Sequence, residues 1–482
     1  MKKAILLILS AMAISYGLIQ TAESKEDNPS RLKAKLRKPD VIDQKFIATN
    51  NWQYAMRSNG SFMYDPNDID HDGNNAGGIF PRTENKTLIW AGGMYIATLK
   101  QGIPVCSEIE FMSEFQPGRI TNSRTSWDSL LYEDPNGANQ KVYYLDRDHI
   151  DNEWPDDAPR DIFGKPALIA DAQTWMVFND LDTSLSQKWP NGTPDDYPGL
   201  GLEVTLLSFI FSTPGFDNAV IYQVTIRNKT RVNYNDSYFG LWADPDIDSG
   251  TNDIVGTDTT RGLGFAYNVN NSDYPAAVGF DFLQGPVAHV NDISQKDVEK
   301  FKNQIFRLSY DPQYNIYRPK PLESGQITLS ATMHASFISS SDPFANEHRY
   351  NLLKGLFAGG MPKSGTGDCD YYVYRGDPLA LEASTDPNVE PYGGDHRTLL
   401  GTGPFTLPAD SSQEVWFAVI GAKGQDRLDA VRQLFKTDDI VQSVFNQGLV
   451  TPQPPEMPQL SVSALDNRVV LTWQNNSEYS ED

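Results

Sequence analysis

The stretch GLEVTLLSFIFSTPGFDNAVIYQVTIRNKT, residues 201–230, decides the fold. It holds two runs rich in β-branched and aromatic residues, with Pro214 and Gly215 between them. Proline followed by glycine is a turn signal, and the flanking runs have strand composition. The pattern therefore predicts two long neighbouring strands that pair antiparallel.

Similar runs lie on both sides of this predicted hairpin. They are short, rich in aromatic residues and bounded by turn residues. They read TLIWAGGMYIATLK, VCSEIEFMSEF, VYYLDR, TWMVFND, ITLSATMHASFIS and EVWFAVIGAKG. Together they predict a mainly β fold, a large antiparallel β-sandwich over residues 49–450.

The few predicted helices lie late in this domain. SQKDVEKFKNQIF has Ser294 as a candidate N-cap. RLDAVRQLF and DDIVQSVFNQG predict a pair of helices near the C-terminal end. Thr437 is the expected cap of the second, and Gly448 lies just past its end.

The N-terminal segments predict export. Residues 1–24 place two lysines before an apolar run and end in a small-residue site, which is typical of a secretory signal peptide. Residues 25–48 form a basic linker, which is either a solvated tail or a contact for an anionic surface. No second apolar run is long enough to cross a bilayer. We therefore expect a secreted or surface-located protein without a transmembrane segment in its mature chain.

The C-terminal residues predict a separate module. Residues 451–458 form a proline-rich linker. Residues 459–482 contain an alternating strand, a turn and a second strand ending at Trp473, and they resemble the first two strands of a fibronectin type III domain. That domain needs about 90–100 residues. These strands are therefore either a partial module or a hairpin that docks on the main domain.

The charge balance limits the class of partner. The formal net charge is −23 at neutral pH. Nucleic acids and anionic membranes bind through positive surfaces, so neither is expected as the main partner. An acidic chain favours divalent cations, and a cell-surface or glycan partner is compatible with it.

The first candidate cation loop is DIDHDGNN. Asp68, Asp70 and Asp72 alternate, and Asn74 follows a glycine. Oxygen ligands at such spacing converge on calcium in EF-hand loops. The twelfth position is Ile79, where an EF-hand has glutamate, so this is not an EF-hand. The loop is either stiffened by structural calcium or is an Asx-rich turn.

The second candidate cation loop is DPDIDSGTND. Asp244, Asp246 and Asp248 alternate, and Asp253 follows them. In an extended segment, alternate side chains share one side. Calcium binding and a polar turn are again the two interpretations.

Catalytic motifs are scarce. The sequence has no nucleophile elbow, phosphate loop or zinc-binding helix, and its six histidines are scattered. His149 has acids nearby, which predicts a surface contact between histidine and aspartate. Cys106 and Cys369 either pair or remain two unreactive thiols.

Two tryptophans are candidates for glycan stacking. Trp154 and Trp189 each precede a proline in polar, turn-rich sequence, so both are predicted to be exposed. Exposed aromatic rings are faces on which sugars stack. A glycoside hydrolase would need in addition two carboxylates in one cleft.

Several short motifs resemble a family of secreted bacterial β-rich surface proteins. The motifs lie along most of the chain: Ala91-Gly92-Gly93-Met94-Tyr95, Glu114-Phe115-Gln116-Pro117-Gly118, Glu153-Trp154-Pro155-Asp156, residues 173–180, residues 201–204, Trp242-Ala243-Asp244-Pro245-Asp246, Asp395-His396-Arg397 and Gly403-Pro404-Phe405. Ala170-Asp171-Ala172 departs from the Gly-Asp that the family tends to have at that turn. The family carries fibronectin type III repeats and often a C-terminal sorting domain for type IX secretion. That sorting domain is not seen in these residues.

The resemblance implies location more than activity, because the family has no assigned catalysis. We therefore expect an exported, non-catalytic structural or adhesive protein of the cell surface or extracellular space, stiffened by calcium. The alternative is a carbohydrate-binding protein or a glycoside hydrolase.

Overall fold

The structure is a computed structural model. It describes residues 42–66, 77–121, 132–133, 140–150, 153–182, 185, 199–248, 250–293, 304–338, 341–361, 372–374, 377–380, 393–451 and 458–475. It is 49% strand and 10% helical, and its sheets are antiparallel and packed as in a sandwich, which confirms the predicted fold class.

The first sheet has eight strands. They are β1 (Gln44–Ile47), β2 (Gln53–Arg57), β3 (Gly78–Ile79), β4 (Thr87–Lys100), β5 (Ile103–Glu108), β13 (Tyr234–Pro245), β21 (Met333–Ile338) and β22 (His396–Leu407). Their spatial order is β1-β2-β3-β4-β13-β22-β21, with β5 paired to β4. Strand β1 falls within residues 25–48, which were predicted as a basic linker. It pairs with β2, so these four residues are part of the first sheet.

The second sheet has nine strands. They are β6 (Gln116–Pro117), β9 (Tyr143–Asp146), β10 (Ala172–Asn179), β11 (Leu202–Ile210), β12 (Ala219–Asn228), β14 (Asp253–Asp258), β15 (Leu263–Asn268), β16 (Ala276–Gln284) and β23 (Ser412–Lys423). Their spatial order is β14-β15-β16-β23-β12-β11-β10-β6, with β9 paired to β10. The predicted hairpin is β11 and β12, which pair antiparallel from Leu202 opposite Asn228 to Ile210 opposite Val220.

In the described residues the remaining elements are a short 3-10 helix (Val290–Asp292), four two-stranded sheets and two α-helices. They are β7 (Ile120–Thr121) with β8 (Tyr132–Glu133), β17 (Val287–His289) with β20 (Gln326–Thr328), β18 (Phe306–Asp311) with β19 (Ile316–Pro321), β24 (Leu460–Leu465) with β25 (Arg468–Trp473), α1 (Asn346–Leu353) and α2 (Arg427–Asn446). No helix in the described part of the chain has both the length and the apolar character needed to cross a membrane.

The main core lies between the two large sheets. Phe239 of β13 meets Phe282 of β16 with ring centroids 5.9 Å apart. Tyr222 of β12 stacks on Phe417 of β23 at 4.8 Å, and Phe62 packs on both rings. Aromatic side chains of this size dominate the apolar area that a sandwich buries.

Helix α2 covers the outer face of the second sheet. Its buried residues include Val431 and Leu434, which join the same apolar cluster as Trp416 of β23. Asp426 caps the helix, accepting hydrogen bonds from the backbone N–H groups of Leu428 and Asp429 at 2.9 and 2.8 Å.

The prediction of two helices in this region is wrong. Thr437, the expected N-cap, lies inside the continuous helix and is 8% exposed. Packing on the sheet outweighs the small intrinsic cost of threonine in a helix. Gly448 does lie past the helix end, with a positive φ of 85°. The helix predicted after Ser294 falls outside the described residues.

The C-terminal hairpin β24–β25 is exposed along its whole length. Trp473 has 65% of its surface exposed. The two strands predicted from the sequence are therefore present, and their membership of a fibronectin type III domain stays a prediction. Residues 1–41, with the predicted signal peptide, and 452–457, within the predicted linker, lie outside the described residues.

Candidate metal centre

Three segments converge at one end of strands β13 and β22, which are interior strands of the first sheet. Strand β13 ends at Pro245, and its antiparallel neighbour β22 begins just after Asp395. Strand β14 begins at Asp253, whose N–H donates to the carbonyl of Gly394 at 3.2 Å. The Gly394 N–H donates back to the Asp253 carbonyl at 3.0 Å. Strand pairing therefore brings the two loops that carry these acids together.

Five acids form what we call the aspartate cluster: Asp244, Asp246, Asp253, Asp342 and Asp395. Asp244, Asp246 and Asp395 each offer one carboxylate oxygen, and these oxygens lie within 4.8 Å of one another. Calcium holds oxygen ligands at about 2.3–2.6 Å, so two ligands of one ion are at most about 5 Å apart. The spacing therefore fits a single cation. Asp244 is 3% exposed, and the other two are half-buried.

Asp253 adds a buried acid to the cluster. It is fully buried, and its Oδ1 accepts a hydrogen bond from the Ile247 N–H at 3.2 Å. Its Oδ2 has no hydrogen-bond partner in the part of the chain that the structure describes. A buried carboxylate oxygen in that state needs a proton or a cation.

Among the residues that the structure describes, Arg397 is the cation that pairs with this cluster. Arg397 lies 2.7 Å from Asp395 through Nη1, and its Nε lies 3.5 Å from Asp244 Oδ1 and 4.0 Å from Asp342 Oδ1. Its guanidinium also lies over the Phe111 ring at 5.6 Å. A single guanidinium cannot neutralise five carboxylates, so negative charge remains in excess.

The pKa values of these acids are raised first by burial and then by the neighbouring carboxylates. Burial raises the pKa of Asp244 well above its usual range, Arg397 opposes the rise, and Asp246 and Asp395 add to it. Burial and then Asp395 raise the pKa of Asp246 to about 7. Burial raises the pKa of Asp253 as well, with Asp246 as the next cause. These carboxyls give up their protons reluctantly unless positive charge enters the cluster.

A glycine shapes the loop beside Asp246. A Cβ added at Gly250 would lie 2.2 Å from Asp246 Oδ1. Only glycine lets the backbone come this close to the carboxylate.

The structure brings together some of the predicted ligands. Asp244 and Asp246 share the site, and Asp253 lies beside them. Asp248 is outside the group: it is exposed, has a positive φ of 64°, and accepts from Lys86 Nζ at 3.2 Å. The extended segment assumed for the alternation ends with β13, so the chain turns before Asp248. Asp68, Asp70, Asp72 and Asn74 lie outside the described residues.

Sequence reasoning missed three members of this site. Asp395, Asp342 and Arg397 are far from Asp244 along the chain, and only the pairing of β13 with β22 brings Asp395 and Arg397 there. Asp395 stands directly before residues 396–407, which form β22. Recognising these residues as a strand was the signal that could have located Asp395 at a strand end.

The prediction that Trp154 is exposed is wrong. It is 1% exposed, and its Nε1 donates to the Pro159 carbonyl at 3.1 Å. The proline-rich turn folds back over the ring, so no face is left for a sugar. Trp189 lies outside the described residues.

The histidine and cysteine predictions have different outcomes. His149 is exposed, and its Nδ1 lies 3.1 Å from Asp146 Oδ1, which confirms a surface contact. Cys106 is buried, and burial, followed by Glu108, raises its pKa well above the ordinary thiol value. Cys369 lies outside the described residues, so pairing of the two cysteines stays a prediction.

Comparisons with known proteins add no assignment to this geometry. Neither a scan against protein-family models nor a search of curated proteins finds a match to the chain. The chemistry of the aspartate cluster is therefore argued from its own residues.

Proposed function

We propose that this chain is an exported, non-catalytic structural or adhesive protein of the cell surface or extracellular space, and that calcium stiffens it at the aspartate cluster. The observation that carries the proposal is that carboxylate oxygens of Asp244, Asp246 and Asp395 lie within 4.8 Å of one another, beside the buried Asp253.

The donor set favours calcium among the divalent ions. All its ligand atoms are carboxylate oxygens, which suit hard cations and not the nitrogen and sulfur preference of zinc. Magnesium demands a near-ideal octahedron, whereas calcium accepts six to eight oxygens in flexible geometry. Extracellular calcium modules bind with Kd values of about 0.1–1 mM, so a site of modest affinity suffices there.

The location of the cluster supports a structural role. The three ligands come from the end of β13, the loop after it and the start of β22. A cation held between them fixes two loops against one another and removes repulsion among their carboxylates. Stiffening of this kind needs no reacting group.

Export is the second half of the proposal. It is supported by the signal-peptide pattern of residues 1–24 and by the resemblance to surface proteins with fibronectin type III repeats and type IX secretion. Fractionation of cells expressing the tagged chain tests it. Tagged protein outside the cytoplasm, with residues 1–24 removed, is the expected result, and retention of an uncleaved chain in the cytoplasm would contradict it.

Calcium titration tests the stiffening. The mature chain is stripped with chelator, and its melting temperature is followed as calcium or magnesium is added. Calcium should raise the melting temperature saturably, since a ligand at a hundred times its Kd stabilises by about 2.7 kcal/mol. Magnesium should do less. Asp395→Asn is expected to remove most of the calcium effect, and an unchanged melting curve for the unsubstituted protein would refute the site.

A further inference from the structure

A polar cleft lies on the outer face of the second sheet, away from the aspartate cluster. Its volume is about 460 Å³, which falls within the size range of small-ligand sites. The β18–β19 hairpin forms one wall, and residues 156–160 form another. The floor is the sheet itself.

The floor is a row of polar side chains from adjacent strands. Thr205 of β11 lies opposite Thr225 of β12, which lies opposite Glu414 of β23. Their neighbours Val204, Val224 and Val415 are in the core between the sheets. Because side chains alternate along a strand, the three polar residues point outward into the cleft.

The floor is ordered by its own hydrogen bonds. Glu414 Oε1 accepts from Trp416 Nε1 at 2.7 Å, and Gln223 also hydrogen-bonds Glu414. The Tyr317 hydroxyl donates to Gln223 Oε1 at 2.9 Å. Glu414 is half-buried, and burial raises the pKa of its carboxyl, with the hydrogen bonds from Trp416 and Gln223 opposing the rise. A carboxylate in this position is suited to a ligand that donates hydrogen bonds.

The walls supply aromatic surface and opposite charge. Tyr310 is half-buried at the wall, and its hydroxyl donates to the Arg160 carbonyl or to Asn315, at 3.0 and 2.8 Å. Trp175 lies at the back of the cleft, 2% exposed. Arg307 is exposed on the hairpin, and its charge is felt by Glu414.

We propose that this cleft binds a neutral polyhydroxylated ligand, a sugar residue of a glycan. Hydroxyl groups both donate and accept, so they match a floor of carboxylate, amide and threonine hydroxyls together with the Arg307 guanidinium. The half-buried Tyr310 ring is the aromatic surface of the lining on which the apolar face of a sugar ring can pack. The lining carries charge of both signs, with Asp156, Asp157 and Glu414 against Arg160 and Arg307, and this mixture suits a neutral ligand. The site goes beyond the calcium-stiffened role and does not depend on it.

Titration with defined oligosaccharides tests the cleft. Cellotetraose, maltotetraose, xylotetraose, mannotetraose and chitotetraose are each titrated into the mature chain by calorimetry and by intrinsic fluorescence, for which Trp175 in the lining of the cleft is a reporter. At least one should bind saturably, with a Kd at or below the order of 1 mM. Binding should persist in chelator, which separates this site from the aspartate cluster. Failure of every probe to bind at about ten times that concentration overturns the proposal.

Substitutions locate the binding to the cleft. Glu414→Gln and Arg307→Gln should each weaken binding about tenfold, because each removes a charged hydrogen-bonding group. Arg307 is exposed, so its substitution spares the fold even if Glu414→Gln does not. Glu323→Gln, an exposed acid outside the cleft, is the matched control and should bind as the unsubstituted protein does. Unchanged binding by both cleft variants overturns the assignment.

Discussion

Two groups of buried acids in the first sheet handle their charge in opposite ways. The glutamate cluster consists of Glu108, Glu110, Arg349 and Tyr95. Arg349 contacts Glu108 through its Nε, and the Tyr95 hydroxyl donates to Glu110. Burial opposes the charge on Arg349, yet the two glutamates raise its pKa above the ordinary value. In this cluster Arg349 opposes the charge of Glu108 and the Tyr95 hydroxyl hydrogen-bonds Glu110, so each acid has a partner from the protein.

The aspartate cluster has five acids around Arg397 and keeps an excess of negative charge. The aspartate cluster also lies in loops at the ends of β13 and β22. The arginine of the glutamate cluster, Arg349, belongs instead to helix α1, which packs on β4 and β5. The comparison teaches that burial of acids alone does not indicate a ligand site. What matters is whether the protein supplies the opposing charge.

The largest expected effect comes from removing the Arg349 guanidinium. Arg349→Met leaves Glu108 and Glu110 buried without an opposing positive charge, and it should lower the free energy of unfolding in urea by about 3–5 kcal/mol. Arg432→Met is the control, because Arg432 has 60% of its side chain exposed and pairs only at the surface. If the unfolding free energies of the two variants differ by less than about 1 kcal/mol, Arg349 does not stabilise the glutamate cluster.

The next effect should change sign with calcium. Asp246→Asn removes one charge from the aspartate cluster, so at pH 8 in chelator the variant should be more stable than the unsubstituted protein, by on the order of 1 kcal/mol. With calcium present the order should reverse, because the variant has lost a ligand. Melting curves under both conditions measure this. The same order in both conditions would argue that no cation is bound there.

A pH series tests the buried acid Glu110 of the glutamate cluster. Burial raises the pKa of Glu110, with Arg349 opposing the rise. Above about pH 4.3, the ordinary glutamate value, the folded protein therefore holds this proton more tightly than the unfolded chain does. Stability contributed by the protonated acid is lost as the pH rises through the raised pKa. Glu110→Gln cannot lose a proton, so its unfolding free energy should fall less steeply with pH. Parallel curves for the two proteins would contradict the raised pKa.

The smallest expected effect is at Asp248. Since this acid pairs with Lys86 at the surface, Asp248→Asn should change stability by less than about 0.5 kcal/mol. Asparagine also tolerates the positive φ found there. The calcium-induced rise in melting temperature should be the same in both proteins. A lost calcium response would return Asp248 to the ligand set that its spacing predicted.

The fold was predictable where the signal is local. The β11–β12 hairpin is marked by its composition and its Pro-Gly turn, and the long apolar runs mark β4, β10 and β23. Helix α2 was divided because Thr437 looks like a cap in isolation. Its buried face, with Leu434 and Val441 on either side, is what keeps the helix continuous. Trp154 was predicted to be exposed because its segment is polar and rich in turn residues. The fold of residues 154–159 back over the ring buries it, and this burial leaves no periodic hydrophobic pattern in the sequence.

The site was predictable only in part, for the same reason. Asp244, Asp246 and Asp253 lie close along the chain, so their spacing reveals them. Asp395 and Arg397 reach the site through the register of β22 against β13, which no local pattern encodes. Asp248 was predicted as a ligand and is not one of the three acids that meet. Alternate residues share one side only within a strand, and β13 ends at Pro245, before Asp248.

The order of strands in the two sheets has a consequence for assembly. Strand β22 lies between β13 and β21, and β23 lies between β12 and β16, so both sheets have late segments in their interior. The first sheet is complete only when residue 407 is available and the second only when residue 423 is, and pairings this far apart in sequence form slowly. A polypeptide emerging from its N-terminus therefore stays open until nearly all of the sandwich has been made.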